Sequence, residues 1–143
     1  MPVKISTGLR NTMLGTGSMK TALDDGFIKL YSGAVPATAD AAVGGTLLCT
    51  ISVDGDGLTF SAPAGGVMAK TTAEVWSGAV GVTGTPTFYR HVADADDGTL
   101  STTAPRIQGE VGTVGKELNM TDITFTVADI KYIDFYTVAL PTL

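Results

Sequence analysis

The sequence predicts an all-β protein: an antiparallel sandwich, jelly-roll-like, with an extended N-terminal arm and one short helix. Three observations favour this class. From residue 27 onward, apolar and polar residues alternate with a period of two in many short segments. Clusters of Gly, Pro and Asp separate these segments every 8–12 residues or so. Only 16% of the residues are charged, which argues against a coiled coil or helical bundle.

The N-terminal segment is polar, rich in glycine and without a sustained period, so it predicts an extended arm. A brief helix is expected over residues 18–26, where Ser18 can cap the start and Gly26 can end it. The expected organisation is therefore an arm over residues 1–17 and a single β-sandwich domain over residues 18–143.

The alternating segments predict eight or nine strands. They cover residues 27–32, 47–53, 58–60, 73–79, 87–93, 106–111, 123–127 and 130–140. Most of these segments have one apolar face, as expected for strands that pack on a single core. In 106–111, for example, Ile107 and Val111 share one face, while Arg106, Gln108 and Glu110 share the other.

The last expected strand, residues 130–140, is apolar on both faces. Ile133 and Phe135 lie on one face, and Tyr132 and Tyr136 lie on the other. A strand of this kind is usually covered on both sides. Two coverings stay open: a loop or the short helix of the same chain, or another subunit that contacts the outer face through Tyr132 and Tyr136.

The charge is distributed unevenly along the chain. The net charge is −5, which argues against a nucleic-acid partner. Residues 1–20 nevertheless contain Lys4, Arg10 and Lys20 and no acidic residue. A cationic arm on an acidic body can contact a neighbouring acidic surface. The alternative is that these three side chains are simply solvated.

The sequence contains no secretory signal and no apolar run long enough for a membrane helix, so we expect a soluble protein without a membrane partner. The one cysteine, Cys49, lies in an apolar segment and is expected in the core. A single thiol cannot form an internal disulfide, so the sequence does not require an oxidising compartment.

The residues that could carry chemistry do not form a recognisable catalytic motif. The only histidine, His91, is expected at the surface or in an interface rather than as a general base. There is no phosphate-binding loop and no His/Cys spacing typical of a metal site. Scattered acidic residues leave a glycosidase pair open. We therefore expect no enzyme, no catalytic residue and no cofactor.

An acidic loop offers one possible ion site. Asp94, Asp96 and Asp97 provide carboxylate oxygens, which suit hard cations such as calcium. A calcium loop of the EF-hand type needs a glutamate at its twelfth position, where this sequence has Pro105. Turn formation is the preferred interpretation, no metal site is expected, and ion binding stays an open alternative.

Several short segments, in their order along the chain, resemble those of a group of small virion proteins of tailed bacteriophages. The segments are residues 14–23, 26–33, 36–40, 74–78, 88–90, 108–112 and 115–119. Within that group the chain is similar to capsid decoration, or cement, proteins, some of which are jelly rolls.

The resemblance implies a mechanical function without catalysis. A decoration protein stabilises the capsid shell by binding across capsomers as an oligomer, so its partners are the major capsid protein and other copies of itself, in a dimer or trimer. The expected location is the capsid surface of the virion, after synthesis in the host cytoplasm. Lys4, Arg10 and Lys20 are then the expected capsid-binding residues. Another virion component, such as a tail or baseplate subunit or a receptor- or glycan-binding sandwich, is the alternative.

Overall fold

The structure is a computed structural model that describes residues 3–140. Within this range it contains ten strands and two short helices, and the predicted all-β, antiparallel sandwich is confirmed. The elements are β1 (Lys4–Ile5), α1 (Thr7–Leu14), α2 (Met19–Leu23), β2 (Phe27–Ser32), β3 (Thr46–Ile51), β4 (Val67–Ala69), β5 (Trp76–Ala79), β6 (Phe88–Val92), β7 (Arg106–Gly112), β8 (Leu118–Asn119), β9 (Ile130–Ile133) and β10 (Thr137–Ala139).

The main sheet has the order β1-β7-β6-β2-β3, and β8 pairs with β7 in parallel. Two small antiparallel sheets, β5–β9 and β4–β10, complete the architecture. Isolated bridges from Cys49 to Val80 and from Ser52 to Ser77 join the β3 region to the β5 region. β3 therefore connects the main sheet to the small β5–β9 sheet. The hydrophobic core combines residues of the main sheet, such as Ile28, with Trp76 of the small sheets.

Register explains where the predicted alternation fails. The pairing of β2 with β3 shifts between Leu30 and Tyr31. This irregularity buries both Leu48 and Cys49, whereas Leu47 is partly exposed. Cys49 is therefore a core residue as expected, whereas Leu47, in the same predicted segment 47–53, does not lie on the buried face that regular alternation would give it. The segments around residues 58–60 and 123–127 contribute isolated bridges instead of regular strands.

The N-terminal segment is not the extended arm that the sequence predicts. Within the described residues 3–17, β1 pairs with β7 and α1 packs on the same part of the sheet. Ser6 is the reason: its buried hydroxyl accepts hydrogen bonds from the N–H of Leu9 and of Arg106, and donates one to the carbonyl of Ala104. The side chain of Leu9 is fully buried. Long-range contacts thus stabilise a helix too short to form alone.

The helix after Ser18 forms as predicted. The Ser18 side chain accepts a hydrogen bond from the Thr21 N–H, and the Thr21 hydroxyl accepts one from the Ser18 N–H, which makes a capping box. Asp24 ends α2, and its carboxylate accepts a hydrogen bond from the N–H of Phe60. The short helix is therefore anchored to the core segment around Phe60.

The expected last strand is two strands in different sheets. β9 pairs with β5 and β10 pairs with β4, and the chain changes direction between them at residues 134–136. This break turns the Tyr136 ring inward, where it is 5% exposed, while Tyr132 on β9 is 54% exposed. The prediction that both tyrosines share an outer face is therefore wrong for Tyr136.

Gly8 tests the packing of α1. A Cβ atom at Gly8 would lie 2.3 Å from the carbonyl oxygen of Thr103. We expect Gly8→Ala to lower the free energy of unfolding by about 1–3 kcal/mol in urea titrations, although alanine is the better helix former. Gly44→Ala is the control, because its Cβ would have no neighbour within 4 Å. Equal stability of the Gly8 variant and the wild type would contradict the packed N-terminal segment.

Candidate functional site

The face of the main sheet that points away from the hydrophobic core carries buried polar side chains. Arg90 on β6 and Arg106 and Gln108 on β7 are all less than 2% exposed. Two loops, residues 33–45 and 93–105, cover this face and supply hydrogen-bond acceptors to it. Burying a guanidinium is costly unless it is paired and hydrogen-bonded. Arg106 meets both conditions, whereas Nη1 of the buried Arg90 has no hydrogen-bond partner among the described residues.

Arg106 forms the most extensive contacts of this cluster. Its Nε and Nη2 atoms donate to the two carboxylate oxygens of Asp96 at 2.6 and 2.9 Å, a bidentate ion pair in which both side chains are buried. Nη2 also donates to the carbonyl of Thr99 at 2.7 Å, and Nη1 donates to the carbonyls of Ala39 and Asp40. One side chain therefore connects β7 to both covering loops.

Arg90 and Gln108 hold the first loop. Arg90 Nε donates to Gln108 Oε1 at 2.9 Å, and Arg90 Nη2 donates to the carbonyl of Ala41 at 2.7 Å. The Gln108 amide donates to the carbonyl of Pro36 at 2.8 Å. Burial, and next the neighbouring Arg106 charge, lower the pKa of Arg90. The alternation in residues 106–111 placed Gln108 on a polar face, whereas residues 87–93, which include Arg90, have two mixed faces. Neither pattern indicates that loop carbonyls cover this side of the sheet.

The acidic loop is organised by the same cluster. Asp96 uses both carboxylate oxygens on Arg106, and Asp97 accepts hydrogen bonds from the N–H and hydroxyl of Thr99 within its own turn. Within residues 3–140, no group of three or more His, Cys, Asp or Glu side chains is arranged to hold a metal ion. The geometry favours the interpretation of Asp94, Asp96 and Asp97 as a turn anchored by an ion pair.

His91 lies in the core and not at the surface or in an interface, so the expectation for this residue is wrong. Its ring stacks on Phe60 with centroids 5.1 Å apart and contacts the Trp76 and Tyr136 rings. Nε2 lies 3.2 Å from the carbonyl oxygen of Leu23, which only accepts, so Nε2 carries the hydrogen. Nδ1 has no partner among the described residues. Burial lowers the pKa of His91 to about 4, which suits a neutral structural imidazole.

Cys49 is also a buried residue, and its thiol does not ionise at neutral pH. Its side chain is buried between β3 and β5. Burial raises the pKa of the Cys49 thiol to about 11, so the thiol is protonated at neutral pH. A protonated, buried thiol packs as a small apolar group.

The three cations predicted to bind a capsid contact their own chain. Lys4 Nζ donates to the carbonyl of Ala37 at 2.8 Å, Arg10 donates to the Thr7 hydroxyl at 2.9 Å, and Lys20 pairs with Asp24. Lys4 and Arg10 both border a shallow depression of about 320 Å³ beside residues 37–40, but Lys20 is not among its lining residues. Lys4 and Arg10 thus form a basic edge on the folded body, beside the Asp40 carboxylate at the same depression, in place of the expected extended arm.

Of the two tyrosines predicted for a subunit interface, Tyr132 is exposed, and it lies on the solvent-facing side of the β5–β9 sheet. Ile130 and Tyr132 on β9 are 50% and 54% exposed, beside the small residues Ala79 and Ser77 in register on β5. We call these four residues the β9 face. Phe135, in the break after β9, is 89% exposed but lies outside this face. Tyr132 is therefore available for a subunit contact, whereas Tyr136 is a core residue.

An apolar groove lies between the helices and the β4–β10 sheet. Its volume is about 310 Å³, and it is lined mainly by apolar residues, among them Met13, Met19, Pro63, Met68, Val138 and Leu140. Methionine side chains adapt to irregular surfaces. No pattern in the sequence indicates this groove, because its residues come from separate segments of the chain and show no common period.

Comparison with models of protein families, with curated proteins and with solved structures found no match to this chain. Of the helices in the described range, neither is long and apolar enough to span a membrane. The function proposed below therefore depends on the surface of the molecule and on the resemblance in the sequence.

The Arg106–Asp96 pair gives a stability prediction. We expect Asp96→Asn to lower the free energy of unfolding by about 3–5 kcal/mol, because Arg106 keeps its buried charge without a counter-ion. Asp97→Asn is the matched control, since this side chain is exposed and an amide oxygen can still accept from Thr99; its effect should be about 0.5 kcal/mol or less. Urea denaturation measures both. A similar small effect for the two variants would contradict the role assigned to the pair.

His91 gives a pH prediction. Its pKa is about 4 in the folded chain and about 6.5 when unfolded, so between these values the unfolded state binds more protons. The stability from a neutral His91 is complete above pH 6.5 and is lost as the pH falls towards 4. Between pH 7 and pH 4.5, we expect the wild type to lose about 2 kcal/mol more than His91→Gln, because the shared carboxylates cancel in the comparison. Parallel pH profiles would contradict this prediction.

Proposed function

We propose that this chain is a structural protein of a tailed bacteriophage that decorates and stabilises the capsid shell, binding the major capsid protein across capsomers as an oligomer. The observation that carries the proposal is the β9 face, where Ile130 and Tyr132 present large apolar side chains on a regular sheet. Exposed apolar patches on folded domains commonly mark contact surfaces, and tyrosine is enriched in the centres of interfaces.

The rigidity of the covering loops also supports a mechanical role. Buried arginine contacts hold residues 36–41 and 96–99 to the main sheet through their backbone carbonyls. A preorganised surface loses little conformational entropy on binding. A protein that binds only the mature shell stabilises it by mass action at every site it occupies, and a rigid body increases that effect by raising affinity.

The basic edge supplies a second element of the proposal. Arg10 is exposed on α1, and Lys4 lies beside it at the same depression. Apart from this edge the chain is acidic, with a net charge of −5 overall. An acidic patch on the shell would therefore orient the protein with its N-terminal edge inward, while the acidic remainder keeps neighbouring copies from binding nonspecifically.

Arg10 tests the proposal in a shell-binding assay. Expanded shells assembled from the major capsid protein encoded with this chain are mixed with purified protein and sedimented. We expect the wild type to bind in a copy number close to that of the major capsid protein, and Arg10→Glu to bind about tenfold more weakly. Lys116→Glu is the control, since it changes the charge equally on a partly exposed side chain that does not border the depression.

The assay distinguishes the alternatives. Absence of wild-type binding to shells would contradict decoration, and binding confined to tails in electron micrographs of the virion would favour a tail or baseplate subunit. Equal weakening by Arg10→Glu and Lys116→Glu would contradict the specific role of the basic edge. Thermal unfolding of each variant is compared with that of the wild type, because the Thr7 hydroxyl that accepts from Arg10 is half-buried and donates in turn to the Asp40 carboxylate.

A further inference from the structure

β9 is an open edge strand, and its backbone groups can be assigned a direction. Ser77 on β5 exchanges both backbone hydrogen bonds with Ser52, at 2.9 and 3.0 Å, so its N–H and C=O point away from β9. Tyr132, the register partner of Ser77, is consequently in a non-hydrogen-bonded pair, as is Ile130 two residues earlier. The N–H and C=O groups of Ile130 and Tyr132 therefore point outward, and no other residue in the range 3–140 bonds to them.

This edge lacks the features that usually protect exposed strands from pairing. β9 contains no proline and no bulge, and its one charged residue, Lys131, points inward. The Lys131 ammonium lies 5.1 Å from the centre of the Phe125 ring and 2.7 Å from the Asp122 carboxylate. The side chains on the solvent-exposed face of β9 are the half-exposed Ile130 and Tyr132. The edge thus offers unpaired backbone groups flanked by apolar side chains.

We propose that β9 pairs antiparallel with β9 of a second copy of this chain, about a two-fold axis at Lys131. In this register Ile130 of each copy lies opposite Tyr132 of the other, which gives two aromatic–β-branched pairs and pairs all the outward backbone groups of these residues. The arrangement is isologous, as closed dimers require. The small side chains of Ser77 and Ala79 leave room beside each Tyr132 ring.

The neighbouring residues select this register. A two-fold axis at Tyr132 would place Ile130 opposite the acidic Asp134, and an axis at Ile130 would place Tyr132 opposite Ala128. Ala128 has a φ of 76°, so the chain leaves the extended conformation there and cannot continue a ladder. The two Lys131 side chains lie opposite each other in the proposed register, but each is neutralised by Asp122 and Asp129 of its own copy.

The inference deepens the proposed function, and its biological meaning rests on that function, because it names the surface through which copies of a decoration protein meet. The two proposals can still fail separately. A chain that is monomeric and yet binds shells would overturn the β9 pairing and the oligomeric part of the proposed function, but not decoration itself. A chain that pairs through β9 and does not bind shells would overturn decoration alone.

Sedimentation velocity of the full chain over a concentration series tests the pairing. We expect a dimer whose dissociation constant rises at least about tenfold in Tyr132→Ser and in Ile130→Lys. Phe135→Ser is the matched control, because it removes a more exposed aromatic side chain three residues from Tyr132 and outside β9, and it should leave the dimer intact. Circular dichroism confirms that each variant is folded.

Hydrogen exchange tests the register independently of any substitution. The amides of Ile130 and Tyr132 point outward, so we expect their exchange to slow as protein concentration rises, while the exposed amides of other loops remain unchanged. A wild type that is monomeric at about 100 μM, a concentration at which even weak dimers form, would overturn the inference. So would a dimer lost in Phe135→Ser but not in Tyr132→Ser, or amides of β9 with exchange independent of concentration.

Discussion

The bidentate contact between Arg106 and Asp96 is the constraint on which the covering layer of this protein depends. Arg106 is buried in the main sheet, so its charge must be neutralised where it lies. Asp96 provides the counter-charge, and the carbonyls of Ala39, Asp40 and Thr99 satisfy the remaining N–H groups. Two long connections without regular structure thereby acquire defined positions. Loops of this length are usually mobile. Here they are held against the main sheet, and together with the buried arginines they form a polar layer on the side opposite the hydrophobic core.

The sequence predicted elements best where a strand has one apolar face, or where the stabilising contacts are between residues close in sequence. β2 has the residues predicted for it, and α2 forms after Ser18 as its capping residues indicate. Alternation could not indicate the environment of Arg106 and Gln108, because a polar face covered by loop carbonyls has the same pattern as one facing water. The N-terminal helix was missed for a related reason, since it depends on bonds from Ser6 to residues about a hundred positions later.

Of the two tyrosines predicted on an outer face, only Tyr132 is exposed. Tyr132 and Tyr136 are four residues apart, and an unbroken strand would place them on one face. The change of sheet at residues 134–136 separates them, and it brings Tyr136 against the Tyr89, Trp76 and His91 rings. No local pattern marks such a break, because it results from the pairing of β9 and β10 with two different strands. The burial of His91 follows from the same aromatic cluster.

The packing of the N-terminal segment has a consequence for synthesis. β1 and α1 are translated first, but their partners, Ala104 and Arg106, emerge from the ribosome about a hundred residues later, roughly 5–20 s at ordinary translation rates. The nascent segment must wait, with Leu9 uncovered, until β7, its neighbour in the main sheet, has been synthesised. The central antiparallel strands can assemble meanwhile, and closure of the N-terminal strand against β7 becomes a late step that seals the edge of the sheet.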